Sequence, residues 1–88
     1  RSGMMEAIAA AESMLRDVLM RCEDPAAAIV NEDALASIDR ICATATTAGA
    51  VRALEACGDA RHALARNVTA QLTLEVMLLS IKEALQNA

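Results

Sequence analysis

Apolar residues in the first quarter of the chain fall at Met4, Ile8, Ala11, Leu15, Val18 and Cys22, alternating steps of four and three. That spacing places them on one stripe of an α-helix and is incompatible with a half-buried strand, whose apolar positions recur every second residue. The same period returns further on, and the chain holds a single proline, Pro25, and three scattered glycines. Long helices are therefore free to form, and we expect an all-α fold, a small bundle of about four to five helices in one domain over residues 1–88.

The core of such a bundle is restricted by what the chain lacks. Of its 88 residues 56% are apolar, yet Phe, Tyr and Trp are absent. Ala, Leu, Ile, Val and Met must fill the interior, and small side chains bury little area each. A domain of this length hides only roughly 60 to 65% of its unfolded surface. Association with another chain would add to a narrow stability margin.

Four helical segments can be placed. The first runs from about Met4 to Cys22 and stops at Glu23-Asp24-Pro25, because proline disfavours helical angles in the residue before it and has no N–H to donate. Ala26 to Val30 is a loop with room for a short helical turn. Asn31 reads as an N-cap, with Glu32 and Asp33 complementing the helix dipole in the first turn of a second, shorter helix. Its core face is expected at Leu35, Ile38, Ile41, Cys42 and Ala45, and it dissolves in a Thr-rich stretch at residues 44–47 that offers caps for the next helix. The third helix spans about Ala48 to Arg66, with Val51, Leu54, Cys57 or Gly58, and Leu64 inward, and Arg52, Glu55, Asp59 and Arg66 on the wetter sides. Asn67 tolerates the left-handed conformation that ends a helix, and Thr69 is a candidate N-cap for the last one. That last helix is apolar on two sides: Leu72, Val76 and Leu79 make one face, and Leu74, Leu78, Ile81 and Leu85 another. Such a helix is either central to its own bundle or shared with a partner.

Motifs for chemistry are missing from this pattern. The single histidine, His62, lies next to Arg61 and between Asp59 and Arg66, a solvated setting with no nucleophile bracketing it. Candidate metal ligands are scattered singly, and Gly3, Gly49 and Gly58 form no phosphate loop. Cys22, Cys42 and Cys57 are odd in number and contain no Cys-x-x-Cys pair, so reduced core thiols are expected. Asn67-Val68-Thr69 matches a glycosylation sequon but is explained by capping, and the five Met read as gap-fillers of an aromatic-free core. We expect no enzyme activity, no cofactor and no metal.

Partners are restricted by charge. Twelve acidic residues against eight basic ones leave a formal charge of −4, which argues against direct nucleic-acid binding, as do the absent stacking aromatics. No run approaches the ~18 apolar residues of a membrane span, and no signal segment opens the chain, so the reading is soluble and cytoplasmic. The opening Arg1-Ser2-Gly3, in place of an initiator Met, suggests part of a longer chain.

Three stretches resemble a known family. Met14-Leu15-Arg16-Asp17-Val18-Leu19-Met20 resembles the Arg-Asp-Leu-Leu segment in the C-terminal helical domain of bacterial clamp-loader subunits, and Ile29-Val30-Asn31-Glu32-Asp33 is similar to the Asn-x-Asp stretch that follows it in the delta-prime subunits of DNA polymerase III. Residues 60–79 resemble that family's closing Arg-x-x-Leu-x-x-Asn-Val-Asn-x-Gln-Leu-x-Leu-Glu-x-Leu-Leu pattern, with Thr69 where Asn is usual and Ala70 where Pro is frequent. The related gamma and tau subunits share the Arg-Asp-Leu-Leu segment. The resemblance implies a collar domain, one of five that pack into a ring in DNA replication, while ATP hydrolysis and sliding-clamp contact belong to separate modules. It implies gamma/tau and delta subunits as partners and interface anchors among Leu72, Val76 and Leu79 or Leu74, Leu78 and Ile81, flanked by Arg61, Arg66 and Glu75. A self-associating helical adaptor of another kind would have the same composition and form a closed homodimer; an isolated collar chain could also self-associate through its exposed surface, and the sequence leaves its oligomeric state open.

Overall fold

The first apolar stripe folds as α1, Ser2–Glu23, in the computed structural model, which describes residues 2–86. Arg1 lies outside the described residues. Ile8, Leu15 and Val18 are the buried apolar positions of α1, with Met14, Leu19 and Cys22 packed at their edges. The helix ends as the proline requires. Asp24 N–H still reaches the Met20 carbonyl at 2.9 Å, and the Asp24 carboxylate then accepts the Ala26 N–H at 2.9 Å, a local turn that competes with further helix. A 3-10 turn at Glu32–Ala34 leads into α2, Leu35–Cys42, so the extra turn falls just beyond the loop where room for one was expected.

Asn31 precedes that turn but does not cap it. Its side chain makes no capping hydrogen bond; Nδ2 donates instead to Asp17 Oδ2 at 2.7 Å and Ser13 Oγ at 3.0 Å. The reason is Asp17, a carboxylate only 3% exposed on α1. Its oxygens also accept the backbone N–H groups of Val30 (3.0 Å) and Asn31 (2.8 Å). A buried charge without such donors would be very costly, and hydrogen bonds to a charged acceptor are stronger than those an amide oxygen offers a helix end. Arg21 completes the attachment, donating to the Ala27 carbonyl at 2.9 Å and forking onto both Asp39 carboxylate oxygens at 3.2 Å. Loop and α2 are thereby fastened to the C-terminal half of α1, where Ile38 packs with Val18 and Ala50.

Helix α3, Thr47–Ala65, starts at Thr46, whose backbone is extended and whose Oγ1 accepts the Gly49 N–H at 2.9 Å. Its buried face includes the expected Cys57 but is rotated away from Val51 toward small residues. Gly49, Ala50, Ala53, Ala56, Cys57 and Ala60 are buried, Leu54 and Leu64 pack at the margins, and Val51 is exposed. The cause is position: α3 packs against both α1 and α4, and close approach on two sides selects small side chains over branched ones. Leu35 of α2 is likewise exposed rather than inward. The α3 C-terminus closes with Asn67 at φ 65°, the Val68 N–H on the Ala63 carbonyl and the Asn67 N–H on the Leu64 carbonyl, a Schellman turn. It reverses the chain into α4, Ala70–Gln86, whose first bond runs from Thr73 N–H to the Thr69 carbonyl. Met77 enters the main cluster beside Ile8, Leu15 and Cys57. Of the other methionines, Met14 packs at the core edge, whereas Met5 and Met20 are exposed and fill no gap.

The resulting all-α bundle is a slab, 40 × 25 × 15 Å. Its accessible surface is 5562 Å², against about 4900 Å² for an average folded monomer of this mass. The difference is surface that a thicker bundle would have buried.

Two expectations test these contacts. A Cβ added at Gly49 would meet the Ala84 carbonyl, which belongs to backbone and cannot rotate away, whereas one added at Gly58 meets nothing within 4 Å. Gly49→Ala should therefore lose about 2 kcal/mol in urea unfolding through overpacking, and Gly58→Ala should gain about 0.5–1 kcal/mol through helix propensity. For Asp17, burial raises the pKa, but the Val30 and Asn31 donors outweigh it and hold the carboxyl below its ordinary 3.8. On acidification the unfolded chain then takes the proton first, so this contribution is complete above pH 3.8 and disappears as pH falls from there through the folded-state value. Asp17→Ala should lose about 3 kcal/mol at neutral pH by orphaning the three donors, and its urea midpoint should depend less on pH in the acid range than that of the parent chain.

Candidate interaction surface

Helix α4 turns one face inward and leaves the other open. Thr73 and Met77 are buried, with Leu74, Ile81, Ala84 and Leu85 packed against the core beside them. Leu72, Val76 and Leu79, spaced by four and three, stand on the opposite side at 52%, 55% and 57% exposure. One of the two faces expected from the sequence is thus a continuous exposed apolar stripe. The other is divided: Leu74 and Ile81 face the chain's own core, while Leu78 is exposed on the flank of the helix, one turn from Lys82.

The polar residues expected around the contact separate in the same way. Glu75 is exposed beside the stripe, where its carboxylate accepts Gln71 Nε2 at 3.3 Å. Arg66 is exposed at the end of α3, in a shallow hollow shared with Asp59, His62 and Val68. Arg61 is engaged internally: its guanidinium forks onto Glu12, with Nε 3.0 Å from Oε2, and ties α3 to α1. That hydrogen bond, against the opposing effect of burial, holds the Glu12 carboxyl below its ordinary range. The same pair leaves Arg61 less free for a partner than Arg66.

Next to the stripe, Val68, Leu72 and Val76 form one wall of a groove of about 260 Å³ between α3 and α4. Ala56, Ala60 and Ala63 make its floor low, since an alanine ridge leaves space where larger side chains would fill it. Thr73 Oγ1, which borders the groove, is buried without a hydrogen-bond partner among the described residues. Side chains of this kind bind by excluding water from apolar area, with Glu75, Asp59 and Arg66 able to orient a partner at the rim.

His62 is exposed, and the Cys57 thiol is fully buried and pushed up in pKa by that burial and by Glu12. Among the described residues no three of His, Cys, Asp and Glu are grouped as metal ligands would be, and no helix is long and apolar enough to cross a membrane. No family model, curated protein or solved structure matches the chain.

Reading the sequence missed the Glu12–Arg61 pair and the role of Asp17. Forty-nine positions separate Arg61 from Glu12, and no local pattern links them. Asp17 left no signal of its own, because it sits with Arg16 between Leu15 and Val18 at ordinary helical spacing, off the apolar stripe. The division of α4 predicts a contrast in stability. Leu79→Asp should change the unfolding free energy by less than about 1 kcal/mol, whereas Met77→Ala, inside the core, should cost about 2–4 kcal/mol; thermal and urea melts of the two variants check this.

Proposed function

We propose that this chain is a subunit-assembly domain, the collar domain of a DNA polymerase III clamp-loader subunit of the delta-prime type, supporting loading of the sliding clamp in the bacterial cytoplasm. The observation that carries the reading is the exposed Leu72-Val76-Leu79 stripe beside the α3–α4 groove, apolar surface in excess of what the fold needs. Its partners would be the gamma/tau and delta subunits, and the domain would contribute cohesion and no catalysis. Two further features support it. Asp17 and Asn31, from two of the three stretches that carry the resemblance, are hydrogen-bonded to each other. The Asn67-Val68 part of the third forms the turn that aims α4.

A flat collar member needs contacts with two neighbours, which suits a slab with an apolar edge better than a closed monomer. The same stripe would equally serve a homodimeric adaptor or a gamma/tau collar. Sedimentation of the chain alone and mixed with the gamma subunit of the same organism's clamp loader separates these. The expected result is a mixed complex that Leu79→Asp abolishes. A mass unchanged by folded gamma would overturn the collar reading, and a homodimer dispersed by Leu79→Asp would then identify the adaptor.

A further inference from the structure

The sequence places Cys22 and Cys42 on different helices with no motif to join them, yet their sulfur atoms lie 3.0 Å apart. Cys22 is in the last turn of α1 and Cys42 is the final residue of α2. Both are half-buried, unlike Cys57, which is sealed in the core away from them. The sulfurs are held in place from both sides. Arg21, next to Cys22, forks onto Asp39, one turn before Cys42, and the Cys42 thiol donates to the Val18 carbonyl at 3.3 Å.

We propose that Cys22 and Cys42 are a redox-convertible pair that forms an intramolecular disulfide on reaction with a low-molecular-weight disulfide such as oxidised glutathione. Sulfurs at this separation need to close by only about 1 Å to reach bonding distance, a change that side-chain rotation supplies. Burial, with the hydrogen bond from Cys22 next, pushes the Cys42 thiol up to about 12, so Cys42 stays protonated and Cys22 makes the first attack. The Cys22 thiolate attacks one sulfur of the small disulfide, its S–S bond breaks, and one thiolate leaves. That thiolate takes the Cys42 proton. The Cys42 sulfur then attacks Cys22 Sγ and expels the second small thiol, which recovers the proton Cys22 lost to solvent. Two protein thiols are oxidised and one small disulfide is reduced to two thiols.

The bridge would close the segment from the end of α1 through the loop and the 3-10 turn to the end of α2, the segment that Asp17 and Arg21 already fasten in the reduced chain. Closing a loop of this size restricts the unfolded chain and raises stability. The proposal is independent of the assembly reading, because neither sulfur lies on α4.

The test treats the purified chain with oxidised glutathione, then follows free thiols, intact mass, a non-reducing peptide map and the thermal midpoint. We expect one remaining thiol, Cys57, a mass lower by two hydrogens, a Cys22–Cys42 linked peptide and a midpoint raised by on the order of 10 °C, all reversed by dithiothreitol. Cys22→Ser and Cys42→Ser should each abolish the rise. Persistent glutathione adducts without the bridge, disulfides between chains, or three unreacted thiols would overturn the proposal. The peptide map of the parent chain decides the matter without reliance on any variant.

Discussion

Helix α3 can sit between α1 and α4 only because its contact face is made of Gly49, Ala50, Ala53, Ala56, Cys57 and Ala60. A chain without aromatic side chains has few large groups with which to span a gap between helices, so dispersion and apolar burial must come from bringing backbones close. At Gly49 the approach is close enough that even a methyl group would strike the Ala84 carbonyl. From that constraint follow the slab shape and the low floor of the α3–α4 groove. It also leaves part of the Leu and Val content of α4 without a place inside.

Asp17 answers a second requirement. A loop with three alanines and an exposed Val30 has only Ile29 with which to pack on the cluster beside Val18 of α1. A buried carboxylate accepting two backbone N–H groups and an amide supplies direction where apolar contact cannot. Arg21 does the complementary task with its five donors, taking a loop carbonyl and Asp39 at once. Glu12 and Arg61 repeat the device between α1 and α3. Three polar attachments thus set the positions of helices whose apolar faces alone would permit sliding.

Those positions decide which apolar residues are left over. Once the core has taken Met77, Leu74, Ile81 and Leu85 from α4, Leu72, Val76 and Leu79 are left more than half exposed. Surface of this kind is tolerated where a neighbouring subunit covers it, which is the physical basis for reading the domain as a joint between proteins.

Much of the fold was legible by itself in the sequence, because periodicity and chain-breaking residues act locally. The stripe from Met4 to Cys22, the stop at Pro25, a cap from the Thr-rich stretch at residues 44–47 and the left-handed Asn67 all appear where backbone chemistry put them. That α4 is apolar on two faces was legible too, with Leu72, Val76 and Leu79 grouped as one of them by helical spacing; which face stays exposed was not. Tertiary structure alone decided which face of α3 is buried, that Asn31 binds Asp17 instead of a helix end, that Leu74 and Ile81 turn inward while Leu78 does not, and that Cys22 meets Cys42. Each of these depends on which helix approaches from outside the local segment, and an alanine or a polar side chain carries no mark of that until the packing exists.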